Sequence, residues 1–206
     1  MIEGVDYSFA RPGGARLAAE GKAFAVRYLY PGSGKGLQNP EIVDLRGHGI
    51  DIAVVYQEGT NEWEGGFATG VRQALAAQAL LERLELDHRL PIYFTCDSEA
   101  SGAWNTELVN AFVDGAASVL GRERTGIYGS FAVVEACAAA GVCNWFWQTY
   151  AWSYRKLSGH ANLYQYSNGE WGGSVDFNRA LTPEYGQHSP GTHARATSVA
   201  LSRRRR

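Results

Sequence analysis

The chain lacks the marks of several large protein classes. No stretch approaches the ~20 uninterrupted apolar residues of a membrane span, and the opening MIEGVDYSFARPGG has no basic region followed by an apolar run. Neither membrane insertion nor a secretory signal peptide is therefore expected. Cysteine is scarce: Cys96, Cys137 and Cys143 match no paired metal spacing, so no zinc site is expected. Cys137 and Cys143 read as buried free thiols, with a disulfide as the alternative for a chain working outside a cell. Histidine offers no nucleophilic constellation. His48, His88 and His160 fall in helix or loop contexts, His188 and His193 lie near the end, and no G-x-S-x-G elbow exists. The stretch Gly32-Ser33-Gly34-Lys35-Gly36 lacks Walker spacing, and no dinucleotide fingerprint follows a strand. It reads as a mobile loop, and no cofactor is expected.

A basic footprint is also missing from the body of the protein. All 21 acidic residues lie at or before Glu184, whereas Arg195 and Arg203 to Arg206 lie after it. Residues 1–194 thus hold fourteen basic against twenty-one acidic side chains, a net of −7. That balance argues against a nucleic-acid partner, because phosphate-backbone binders need clustered cations. The closing arginine run reads as part of a solvated terminal tail.

With 206 residues, 45% of them apolar, the chain suffices for one well-buried domain. The expected division is a barrel over residues 1–183 and a flexible polar and basic tail over 184–206. The composition leaves the oligomeric state open.

Eight runs rich in β-branched and aromatic residues read as strands: Val5–Ser8, Ala23–Tyr30, Ile50–Tyr56, Pro91–Cys96, Gly126–Tyr128, Trp145–Thr149, Asn162–Tyr166 and Ser174–Phe177. Several are continuously apolar, as parallel strands under helices are. Helical segments are expected near Gly13–Gly21, Pro40–His48, Glu64–Leu86, Ala103–Leu120 and Phe131–Ala140. In the clearest, Phe67, Val71, Ala74, Leu75, Leu80, Leu81 and Leu84 recur near helical period. The connections after Thr149 and Tyr166 are too short for full helices. Eight alternating units favour an α/β fold of the TIM-like (β/α)8 kind, irregular in its C-terminal part.

In such a barrel the working face lies at the carboxyl ends of the strands. Polar residues interrupt apolar strands at Asp6, at Gln57 and Glu58, at Asp97-Ser98-Glu99 and at Asp176. Asp97 and Glu99 stand two apart on an expected extended stretch, which would turn both carboxylates to one side with Cα atoms roughly 6.5–7 Å apart. Two carboxylates in one cleft split their proton affinities, leaving one acid and one anion, the pairing glycoside hydrolysis requires. The spacing leaves a retaining or an inverting outcome open. Asp6 and Asp176 join the cluster if the first and last strands pair. Such a ring also suits a hard cation, but no His or Asn cluster accompanies it, and no metal is expected. Aromatics near the strand ends, including Tyr56, Tyr128 and Trp147, suit sugar faces, Gln148 and Gln165 suit sugar hydroxyls or N-acetyl groups, and Gln57 is a further candidate for substrate contact. Cys96 should face away from the mouth.

At these residues the sequence resembles the family-25 lysozymes, muramidases that act on peptidoglycan, over roughly residues 4–180. The carriers are Gly4-Val5-Asp6-Tyr7-Ser8, Asp97-Ser98-Glu99, Tyr164-Gln165-Tyr166-Ser167 and Val175-Asp176-Phe177-Asn178, four motifs in order. The resemblance implies that Glu99 is the general acid. It further implies that Asp97 stabilises positive charge or orients the substrate N-acetyl group, and that Asp6 and Asp176 line the −1 sugar site. Tyr56-Gln57-Glu58 departs from the lysozymes' usual Y-H-F/Y strand end, and Ala25–Tyr30 lacks their K-A-T-E-like ending. Arg27-Tyr28-Leu29 and Val54-Val55-Tyr56-Gln57 are closer to the glycoside-hydrolase-like domains of unknown function in actinobacteria and their phages.

The resemblance implies cleavage of the glycan between N-acetylmuramic acid and N-acetylglucosamine by a protein made in the cytoplasm. It would act at the bacterial wall after release, as an endolysin does, or as part of a phage particle. The rival reading is a wall-binding or phage structural module without turnover. A hydrolase requires Glu99 at least partly buried beside an open cleft, whereas a binding module tolerates a filled mouth or an outward Glu99.

Overall fold

The computed structural model describes residues 2–189 except Pro31 and Ser33. Eight strands close into a barrel in chain order. They are β1 (Ile2–Asp6), β2 (Phe24–Leu29), β3 (Asp51–Tyr56), β4 (Ile92–Thr95), β5 (Thr125–Gly129), β6 (Trp145–Thr149), β7 (Leu163–Gly169) and β8 (Val175–Ala180). The first five strands are each followed by a helix: α1 (Gly14–Ala19), α2 (Asn39–Gly47), α3 (Gly66–Arg83), α4 (Ala103–Leu120) and α5 (Phe131–Ala140). Local chemistry sets their ends. Pro40 opens α2 where its missing N–H costs nothing. Ser130 Oγ accepts from Val133 N–H at the start of α5, and Gly141 ends that helix in the left-handed region.

Strands β1 to β7 run parallel, as expected, but β8 runs antiparallel to both β7 and β1. The cause is the connection. Only residues 170–174 separate β7 from β8, with Trp171, Gly172 and Gly173 all at positive φ. So short a link can make a hairpin but cannot carry the chain back for a parallel pairing.

The barrel is filled from inside by rings, among them Phe24, Tyr93, Tyr128, Trp147 and Tyr185. Gly4 faces this space because a Cβ there would lie 2.5 Å from the Phe24 ring. A second cluster, including Leu17, Leu45, Leu81, Phe112 and Val133, fills the layer between strands and helices. The inner face of α3 differs from the periodicity in the sequence: Phe67 and Leu75 are exposed, while Gly70, Ala74 and Ala77 are buried. Small residues win because α3 meets α4 closely; a Cβ on Gly70 would come 1.9 Å from the Phe112 carbonyl oxygen. Cys96 packs in the outer layer, facing away from the mouth, and Cys137 and Cys143 are free buried thiols.

The first residues of the expected tail form part of the barrel. Tyr185 is buried under the amino-terminal ends of the strands, its ring 4.7 Å from that of Phe24. Its carbonyl accepts from Tyr93 OH at 2.9 Å, and its own hydroxyl reaches Asp51 Oδ2 at 3.1 Å. His188 exchanges backbone hydrogen bonds with Ile52. The remainder of the expected tail, residues 190–206 with Arg203 to Arg206, lies outside the described residues. Tyr185→Ala should cost about 3–5 kcal/mol in urea unfolding, as other buried aromatic truncations do. An unchanged midpoint would detach this segment from the barrel's stability.

Candidate active site

Strand alternation decides which side chains reach the mouth. On β1 the inward set ends at Asp6, on β2 at Tyr28 and on β5 at Tyr128, and on β6 it runs through Trp147 to Thr149; past the ends of β3 and β4 come Gln57 and Asp97. On β7 a register shift between Gln165 and Ser167 interrupts the alternation, so that Asn168 lines the pocket together with Gln165. Asp176 arrives from the start of β8, because that strand is antiparallel, and its register partner is Asp6. These residues line a pocket of about 160 Å³. That is small beside ordinary ligand sites of ~300–1,000 Å³, and suits one sugar-sized group at its floor.

Seven expected residues meet here: Asp6, Gln57, Asp97, Tyr128, Trp147, Gln165 and Asp176. Two do not. Tyr56 points outward from β3, fully buried under the helices, and its hydroxyl donates to Glu58 Oε1 at 2.6 Å. Glu99 is exposed on the rim, outside the pocket, and accepts a hydrogen bond from the exposed Tyr154 hydroxyl. The shared cleft expected for Asp97 and Glu99 fails because β4 stops at Thr95 and the chain bends at Ser98, so strand alternation does not extend to Glu99. Trp63 Nε1 holds that bend by donating to Ser98 Oγ at 3.0 Å.

Gln165 is the hub of one side. Its Oε1 accepts from Tyr128 OH at 2.8 Å and Thr149 Oγ1 at 2.9 Å, while its Nε2 donates to Asp6 Oδ2 at 2.8 Å and Asp176 Oδ2 at 3.3 Å. The amide is thus fully engaged, with its oxygen held by two hydroxyls and its N–H groups turned to the two carboxylates. Asn178 repeats the device: it accepts from Trp147 Nε1 at 2.8 Å and donates to Asp6 Oδ2 at 2.6 Å. On the opposite side Gln57 Nε2 donates to Asp97 Oδ2 at 2.9 Å, and Lys35 Nζ donates to Gln57 Oε1 at 2.8 Å.

The charges are unequal in setting. Burial pushes the Asp6 carboxyl well above the usual range, and the neighbouring Asp176 and, less strongly, Asp97 push it further. Asp176 is raised too, by burial first and then by the Asp97 and Glu170 charges, against a hydrogen bond from Gly169 N–H at 2.8 Å. Among the described residues no group of three or more His, Cys, Asp or Glu side chains has the arrangement of a metal site.

Sequence reasoning missed Lys35, Tyr28 and Asn168. Counting back two positions at a time along β2 would have found Tyr28. The place of Lys35 in the loop after β2 puts it on the working face, but reading that stretch as a mobile loop assigns none of its side chains to the mouth.

Residues 15–180 match the family model described as Rv2525c-like, glycoside hydrolase-like domain. The chain belongs to this family. A curated relative from Mycobacterium tuberculosis, Rv2525c, provisionally named a peptidoglycan hydrolase, is 29% identical over 198 residues, covering 89% of this chain and 82% of that protein. The crystal structure of the Tat-secreted Rv2525c in complex with L-tartrate superposes with a TM-score of 0.84 at 27% identity, covering 90% of this chain and 98% of that one. A muramidase from Trichobolus zukalii shares the fold at 15% identity and a TM-score of 0.55, covering 88% and 94%. Lysozyme-like muramidases are thus structural neighbours of this glycoside hydrolase-like family.

Asp6 and Asp176 hold protons more tightly folded than unfolded, so the stability they contribute is complete at acid pH and is lost as pH rises through their folded values. Asp176→Asn, which keeps an acceptor for Gly169 N–H, should flatten the fall in Tm between pH ~5 and ~8. A fall as steep as in the unaltered chain would mean that the pair does not titrate in this way.

Proposed function

We propose that this chain hydrolyses the glycan strand of peptidoglycan, cutting between N-acetylmuramic acid and N-acetylglucosamine at the bacterial wall. The observation that carries the reading is the convergence of Asp6, Asp97 and Asp176, from three strands, on one pocket floored by Trp147 and Tyr128. Glycoside hydrolysis needs a carboxylic acid for the leaving oxygen and a carboxylate for the oxocarbenium-like transition state. The paired Asp6 and Asp176, whose proton affinities burial raises, serve as the proton store. Asp97, oriented by Gln57, serves as the carboxylate that faces the anomeric carbon or the N-acetyl group. The name of the mycobacterial relative supports the same substrate, and among the described residues no helix is long and apolar enough to cross a membrane.

One observation favours a second reading, a module that holds wall glycan without turnover. Glu99, the acid implied by the lysozyme resemblance, lies outside the pocket and is engaged by Tyr154. The two readings separate on purified peptidoglycan, with reducing-sugar release and product masses as the readout. The hydrolase yields muropeptides ending in reducing N-acetylmuramic acid. Asp97→Asn should lower the rate at least ~100-fold, while Glu99→Gln changes it by less than ~10-fold. The opposite order would return the acid role to Glu99. No product, with pull-down by the same walls retained, would make the chain a binding module.

A further inference from the structure

We propose that Lys35 is a positioning residue for the reaction, acting through Gln57 on Asp97; this rests on the hydrolytic reading above. Beside a carboxylate, which accepts, the Gln57 amide turns its N–H donors inward, but that single contact leaves the rest of the side chain free to swing. An ammonium on the far side anchors the acceptor end in the same sense, because it has donors only. With Lys35 Nζ 2.8 Å from Gln57 Oε1 and 3.4 Å from the Gln57 backbone oxygen, the acceptor end of the amide faces the lysine. The Nε2 donors are then directed at Asp97 Oδ2, at 2.9 Å.

The fold secures the lysine from several sides. Its Nζ lies 4.3 Å from the centre of the Tyr28 ring and 5.6 Å from that of Tyr30, an arrangement that favours a cation. The loop that carries it is tied down by arginines. Arg11 donates to the Gly34 and Gly36 carbonyls at 2.9 and 2.8 Å, and Arg27 donates to the Lys35 carbonyl at 3.3 Å. Both arginines pair with Glu41, Arg27 at 2.7 Å and Arg11 at 3.4 Å. A Gly-rich loop held this way delivers one ammonium to one amide.

The two sides of the mouth then differ in a useful way. Gln165 is set by two neutral hydroxyls and serves the buried Asp6 and the half-buried Asp176, whereas Gln57 is set by a cation and serves Asp97. Both carboxylate groups receive an amide N–H, but among the described residues only the amide on the Asp97 side has a cation bonded behind it. That asymmetry assigns the proton-holding role to the pair and the anionic role to Asp97.

The test is a double-mutant cycle with an independent spectroscopic arm. Lys35→Met should lower kcat on peptidoglycan by about 10- to 100-fold with KM little changed. In a Gln57→Ala background the same substitution should have almost no further effect. Lys35→Arg, which keeps a donor-only cation, should retain most of the rate. Protection of the Gln57 side-chain amide from hydrogen exchange, followed by NMR, should drop in Lys35→Met and persist in Lys35→Arg. Additive effects of the two single substitutions, or amide protection unchanged in Lys35→Met, would overturn the proposal. The NMR arm needs no turnover, so a chain that releases no product defeats the hydrolytic reading while Lys35 is still decided by the amide.

Discussion

The arrangement of the mouth depends on how the barrel closes. Because β8 returns antiparallel and pairs with β1, Asp6 and Asp176 stand opposite each other in register at the working end. A parallel eighth strand would have put its starting residues at the other end of the barrel. Two carboxylates so close, one of them fully buried, would be costly without donors. Gln165 and Asn178 supply them, and are themselves held by Tyr128, Thr149 and Trp147. The aromatics that look in sequence like a sugar platform therefore also build the scaffold that makes a buried acid pair tolerable.

The opposite side is organised by ions. Arg27 is fully buried on the outer face of β2, with Glu41 from α2 as its partner. A buried pair of this kind is weak evidence of net stability, since desolvation offsets most of the Coulombic gain. Its visible effect here is geometric. Through Arg27 and Arg11 it ties the loops after β1 and β2 to α2, and so brings Lys35 to the rim of an acidic pocket.

The family relationship and the site geometry bear on different questions. Membership in the Rv2525c-like glycoside hydrolase-like family, and a fold shared with lysozyme-like muramidases, concern the barrel and the location of its working face. Which carboxylate does what depends on local detail. The bend at Ser98 sends Glu99 to the rim, and the cation behind Gln57 distinguishes Asp97 from the pair across the pocket.

Much of the molecule was legible in its order of residues. Eight strand-like runs, five helical segments and acids at strand ends determined a TIM-like barrel with an acidic mouth, because burial imposes periods that a linear pattern records. Seven of the nine expected site residues line the pocket for the same reason: inward and outward alternate along a strand. The same rule turns Tyr56 outward on β3, and it gives out where strands end or change register: Glu99 stands past the end of β4, and Asn168 follows a bulge. Lys35 and Tyr185 were beyond any local pattern. One reaches the mouth through an ion network spanning three segments, and the other joins the barrel from a segment expected to be tail. Periodicity determined which face each strand residue takes; contacts between segments distant in sequence, which no period encodes, decided which of those residues meet.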